Sequence, residues 1–281
     1  MSGQPRVTRL SAGGVSLPLH FERGAPALAA AVNGVPMEME IDTGATVCVL
    51  TERAAANLRI SAPWPAIGTS FSGDRQVHRR GMIDRIDLGE ATFFDVPVVV
   101  IQGDQLPFDG LLGFPLFSQV QLTLDFPGKR LRLDPPDTPL RLGYRLDLQD
   151  VGGIPALPIK IGDRRLDCLI DTGFSGTFAF DPDRLGVQSE PIGMGHAFEL
   201  GGIVPTEFRL LKGEVEFLYA RYQNPPFIVL PGENPVIGSV ALQPFSITFD
   251  QRRRIALVSD AAFGRRLREL RLDASVPERA R

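Results

Sequence analysis

Short apolar runs alternate with Gly-, Pro- and Asn-containing breaks along nearly the whole chain, the pattern of strands joined by tight turns. Ala25–Val32, Met37–Ile41, Val96–Ile101, Leu166–Ile170 and Pro226–Leu230 are such runs. Asn33-Gly34 and Gly162-Asp163 stand between consecutive runs and suit hairpins, because Gly and Asn tolerate positive φ. Helical candidates are few. They are Thr51–Leu58 and, in the tail, Ala261–Leu272, where charged and apolar residues interleave. The pattern predicts an all-β fold with few short helices.

The pattern also repeats. Pro26-Ala27-Leu28 precedes Asp42 by 16 positions, and Pro155-Ala156-Leu157 precedes Asp171 by the same number, at an offset of 129. Further on, Gly110-Leu111-Leu112-Gly113 corresponds to Pro235-Val236-Ile237-Gly238. Leu122-Thr123-Leu124-Asp125 corresponds to Ile247-Thr248-Phe249-Asp250, at an offset of 125. A difference of four residues is one that loops absorb cheaply. Two equivalent units are expected, at 18–138 and 145–258, joined by the proline-rich Asp134–Pro139. Residues 259–281 form a tail that reads as a short helix.

Each unit carries an Asp-Thr-Gly triplet at the end of an apolar strand: Asp42-Thr43-Gly44 and Asp171-Thr172-Gly173. One triplet alone reads as an Asp-initiated turn. Two at matching places in a repeat point to chemistry, because a carboxylate pair can share one proton. One ionised oxygen then activates water while the protonated oxygen polarises a carbonyl. Glycine after the threonine lets two backbones approach closely, and a threonine hydroxyl can hydrogen-bond backbone across an axis.

Composition narrows the alternatives. The net charge of −3 and pI near 5.7 argue against nucleic-acid or anionic-membrane partners. Basic residues cluster only at Arg252–Arg254 and Arg265–Arg271, which read as a solvated turn and tail. Cys48 and Cys168 are too few for a disulfide framework and read as small core residues. No zinc-ligand spacing occurs, and His20, His78 and His196 lie far apart, so no metal site is expected. No apolar stretch approaches twenty residues, and the first residues lack a secretory pattern. That reading places the chain in the cytoplasm, or in the periplasm if an export segment has been lost.

The chain resembles the retropepsin and pepsin-like aspartic peptidases, above all single-chain bacterial members built of two retropepsin-like halves. The resemblance rests on Ile41-Asp42-Thr43-Gly44-Ala45, Ile170-Asp171-Thr172-Gly173, and the glycine motifs ending at Gly113 and Gly238. It covers residues 20–258 and implies a bilobal fold of two β-barrel lobes related by a pseudo-twofold axis. It further implies Asp42 and Asp171 as the catalytic dyad and Thr43 and Thr172 as interlocking threonines. Gly44, Ala45, Gly173, Phe174 and Ser175 would support the active-site loops. No cofactor is implied; the expected partner is a peptide or protein substrate, and the expected state is a monomer with an intramolecular dyad.

The resemblance implies flaps as well. Their candidates are Ile67–Gly73, with Gly68, Phe71 and Gly73, and Gly193–Gly202, with His196 and Phe198. Ala45 follows the retropepsin pattern and Phe174 departs from it. Tyr144, Tyr219 and Tyr222 match no flap tip. Rival readings are a catalytically silent peptide-binding module on the same fold, a structural β-protein whose triplets are only turns, and a dyad formed between two chains.

Overall fold

A computed structural model describes residues 3–22, 24–69, 73, 75–102, 106–141, 143–199 and 202–260. The tail from Ala261 to Arg281, expected to be helical, and Phe71 lie outside the described residues.

The hairpin strands Ala27–Val32 and Val35–Asp42 form where the sequence predicts them. Asn33 and Gly34 turn between them with φ of 48° and 81°, the left-handed pair that a two-residue hairpin needs. Ala27–Val32, Val35–Asp42, Gly110–Gly113, Cys48–Thr51, Ala91–Ile101 and Arg75–Leu88 pair in that order. Arg75–Leu88 then pairs back to Ala27–Val32, closing a six-strand barrel. Closure leaves those strands without a free edge inside the ring. A one-and-a-half-turn helix, Glu52–Asn57, follows Cys48–Thr51, and the Thr51 hydroxyl caps it by accepting from the Ala54 amide.

A second sheet has the same sequence of pairings. Ile154–Ile161, Arg164–Asp171, Val236–Gly238, Phe178–Phe180 and Pro226–Val229 follow one another with the same parallel and antiparallel senses as their counterparts. The expected second closed barrel is not seen. The counterpart of the long strand Arg75–Leu88 is split into Gly202–Leu211 and Glu214–Phe217. Gly213, with φ 152°, lies between the two pieces, and the chain opposite is interrupted as well, at Asn224-Pro225 between Ala220–Gln223 and Pro226–Val229.

A third sheet of six strands joins the two. At its centre Gln121–Asp125 pairs antiparallel with Phe245–Asp250. Thr123 faces Thr248 in register, and their hydroxyls are 2.8 Å apart. Val15–Pro18 pairs with Arg130–Asp134, and Val7–Arg9 pairs with Ala91–Ile101, so residues ahead of position 18 are built into the sheets. One continuous apolar core runs from Leu28 and Phe93 through Leu122 and Phe249 to Phe217 and Phe178. Cys48 and Cys168 are buried, unbonded members of it, and burial pushes the Cys48 thiol up to about 12. Among the described residues no helix is long and apolar enough to cross a membrane.

Candidate active site

Asp42 and Asp171 each end a strand that runs parallel to a short glycine-ended strand: Asp42 lies beside Gly113 and Asp171 beside Gly238. The two glycines are needed for the same reason. A Cβ on Gly113 would stand 2.6 Å from the Val47 carbonyl oxygen. One on Gly238 would stand 2.5 Å from the carbonyl oxygens of both Phe174 and Gly176. Each aspartate loop thus lies directly on backbone, which holds it in place. The Phe114 amide donates to the Ala45 carbonyl, and the Ser239 amide donates to the Phe174 carbonyl.

The threonines lock the two loops to each other. The Thr43 amide donates to the Thr172 hydroxyl, and the Thr172 amide to the Thr43 hydroxyl, both at 3.0 Å. The Thr172 hydroxyl donates to the Ile41 carbonyl at 2.6 Å, and the Thr43 hydroxyl donates to the Ile170 carbonyl. Both threonines are fully buried, so these four bonds satisfy groups that would otherwise be costly to bury. Ser239 adds a bond from its hydroxyl to the Thr172 carbonyl at 2.6 Å.

This lock brings the carboxyl groups together. A Cβ on Gly44 would stand 2.5–2.7 Å from the Asp171 carboxyl atoms, and one on Gly173 would stand 2.7–2.9 Å from those of Asp42. Only a hydrogen fits at either place. The two carboxyls are close enough to interact directly. The Asp42 Oδ1 also accepts from the Gly44 amide at 2.8 Å and the Ala45 amide at 3.0 Å, while the Asp171 Oδ1 accepts from the Phe174 amide at 3.0 Å. Burial raises both carboxyls above the usual range. For Asp171 the neighbouring Asp42 charge adds to that rise, whereas the Asp171 side chain and the loop amides draw Asp42 back down.

The remaining residues singled out in the sequence fall into two groups. Ala45 and Phe174 follow the aspartates at equivalent places. The Phe174 ring lies over Gly176 and Gly238, where the first loop has only a methyl group. Ser175 packs against Gly24 across the junction, and its counterpart Thr46 packs against Gly153. The flap candidates are on two strand pairs. Gly68 is on Trp64–Thr69, with a Cβ there 2.9 Å from the His78 ring, and Gly73 lies beyond that strand with φ 90°. His196 and Phe198 are on Ser189–Glu199, which pairs with Gly202–Leu211.

Sequence reasoning passed over Glu40, which is buried close to both aspartates. Burial first, then the charges of Asp42 and Asp171, push its carboxyl up to about 9. The signal was available: two residues before Asp42 on a strand, it falls on the same face. Among the described residues no cluster of His, Cys, Asp and Glu is arranged to hold a metal ion.

Residues 28–116, which include Asp42-Thr43-Gly44 and Leu111-Leu112-Gly113, match the family model described as aspartyl protease, so this stretch carries an aspartyl protease family domain. Among solved structures, the crystal structure of a retropepsin-like aspartic protease from Rickettsia conorii is similar at 20% identity and a TM-score of 0.35. That match covers 45% of this chain and 92% of the other. No curated protein matches the chain.

Proposed function

We infer that the chain is an aspartic endopeptidase made of two retropepsin-like lobes, 18–138 and 145–258, with the dyad Asp42–Asp171 formed within one polypeptide. The observation that carries this reading is the contact of each loop glycine with the opposite carboxyl, fixed by reciprocal threonine bonds. Two further likenesses support the duplication behind it: the shared strand order of the two sheets and the in-register facing of Thr123 with Thr248.

In this mechanism the pair holds one proton. Asp42, which accepts two loop amides, is the ionised member and takes a proton from water as the water oxygen attacks the peptide carbonyl carbon. Asp171 keeps the shared proton and passes it to the carbonyl oxygen, giving a neutral tetrahedral diol. The diol then collapses. The Asp42 carboxyl protonates the departing nitrogen, a diol hydroxyl returns its proton to Asp171, and the C–N bond breaks. The products are one carboxylic acid and one amine, and the dyad regains its starting protonation. The titration belongs to the pair, and this assignment follows from the unequal surroundings of its members.

The strands Trp64–Thr69 and Ser189–Glu199, each with the strand it pairs with, act as flaps in this reading. Among the described residues, the large apolar side chains more than half exposed are Trp64, Ile67, Val77, Ile192 and Met194, all on these two strand pairs. A substrate laid beneath them would cover part of that surface and exclude water from the dyad.

Digestion of a proteome-derived peptide library by the wild-type chain and by Asp42→Asn tests the proposal. Internal cleavage by the wild type alone is expected. Peptides retained but left uncut by both would assign the cleft to binding without catalysis.

A further inference from the structure

The faces that carry the two aspartates are lined by matching rows of side chains. Strand register gives the first row as Ala27, Glu40, Leu111, Val49 and Val99. It gives the second as Ala156, Leu169, Val236, Ala179 and Ile228. Each row has its own small apolar cluster, separate from the main core. Nine of the ten residues are apolar, and the tenth is Glu40, standing where the second row has Leu169.

Glu40 is not turned into the main core. Its neighbours Met39 and Ile41 fill the core, so strand alternation places Glu40 on the face of Asp42. Only 7% of it is exposed, and among the described residues it has no hydrogen-bond or ion-pair partner. The charges acting on it are those of Asp42 and Asp171. A lone acid in an apolar row weakens a fold, and a leucine at the equivalent place shows that the architecture does not require it. The loop beside it also carries Ala45, a methyl group, where the second loop carries the Phe174 ring.

We propose that Glu40 is the floor of an acidic specificity pocket that selects substrates with a lysine or arginine side chain next to the cleaved bond. The proposal rests on the peptidase reading above. The apolar stem of such a side chain would come in from the dyad side, past the small Ala45, and its cationic end would reach the carboxyl. Glu40, neutral while the site is empty, would release its proton to solvent on pairing and gain a charge-assisted hydrogen bond. A leucine in the same place would bury the carboxyl without a partner. A glutamine would hydrogen-bond to it without ionising it.

The test uses a fluorogenic peptide that the wild-type chain cleaves, remade with Lys, Arg, Gln or Leu at each of the two residues flanking the cleaved bond. At one of these positions the wild type is expected to favour Lys or Arg over Leu by at least about tenfold in kcat/KM. Glu40→Leu should reverse that order, and Glu40→Gln should bring the four peptides to within roughly threefold of one another. Cleavage with the same ranking in wild type and Glu40→Leu, or a wild type that favours Leu at both positions, would overturn the pocket and leave the peptidase reading standing. Failure of the wild type to cleave any library peptide would overturn both.

Discussion

The two aspartate loops are alike in backbone and unlike in side chains. Both are seated on a glycine strand, tied by a threonine to the other loop, and pressed by a glycine against the opposite carboxyl. Around that shared frame the first loop has Ala45 and Glu40, and the second has Phe174 and Leu169. The difference separates two tasks. Backbone and threonine contacts require near-symmetry, because each group must meet its own equivalent. Side chains lining the cleft have no such constraint, and a single peptide substrate is itself asymmetric.

The largest effect is expected at the symmetric centre. Asp42→Asn and Asp171→Asn should each lower kcat/KM for peptide cleavage by about a thousandfold or more. Thermal denaturation should show both variants at least as stable as the wild type, because each removes a buried charge. An active Asn variant would break the symmetric half of the comparison.

Next comes the threonine lock. Thr43→Val and Thr172→Val each remove a hydroxyl that both donates and accepts, leaving two buried backbone groups unpaired. Each should cost roughly 2–4 kcal/mol in urea denaturation, and the two costs should agree to within about 1 kcal/mol. Unequal costs would mean that one loop is held by something other than its twin.

Glu40→Leu probes the asymmetric half, and its sign is opposite. It should stabilise the protein by about 1–3 kcal/mol near pH 8. Because the folded carboxyl is held up to about 9 from an ordinary value of 4.5, its contribution to stability is present below about pH 4.5 and is lost as pH rises through about 9. Denaturation midpoints of the wild type should therefore fall across that window, and those of Glu40→Leu should fall less. The smallest effect belongs to Phe174→Ala. Because the ring is only partly buried, about 1–2 kcal/mol of stability should be lost, with cleavage extending to bulkier side chains on the second loop's side. Peptide profiling checks the second part.

Much of the frame was legible in the residues. Asn33-Gly34 marked a hairpin because its turn needs positive φ at both positions, and the helix Glu52–Asn57 falls inside the candidate Thr51–Leu58. The paired triplets and glycine motifs were legible because close backbone contact admits only glycine. Three features were not. In the second sheet the strands are interrupted at Gly213 and, on the facing chain, at Asn224-Pro225, which strand periodicity does not register. The facing of Thr123 and Thr248 is a pairing between strands far apart in sequence. Glu40 reads as an ordinary polar position in an alternating strand until the register shows that its cross-strand neighbours are all apolar.

The account depends on Asp42 and Asp171 holding one proton between them, and the pH dependence of kcat/KM on a cleaved peptide tests this most directly. A bell is expected, falling on the acid side as the second carboxyl protonates and on the alkaline side as the shared proton leaves. A rate that is flat, or that climbs steadily into alkaline pH, would contradict it.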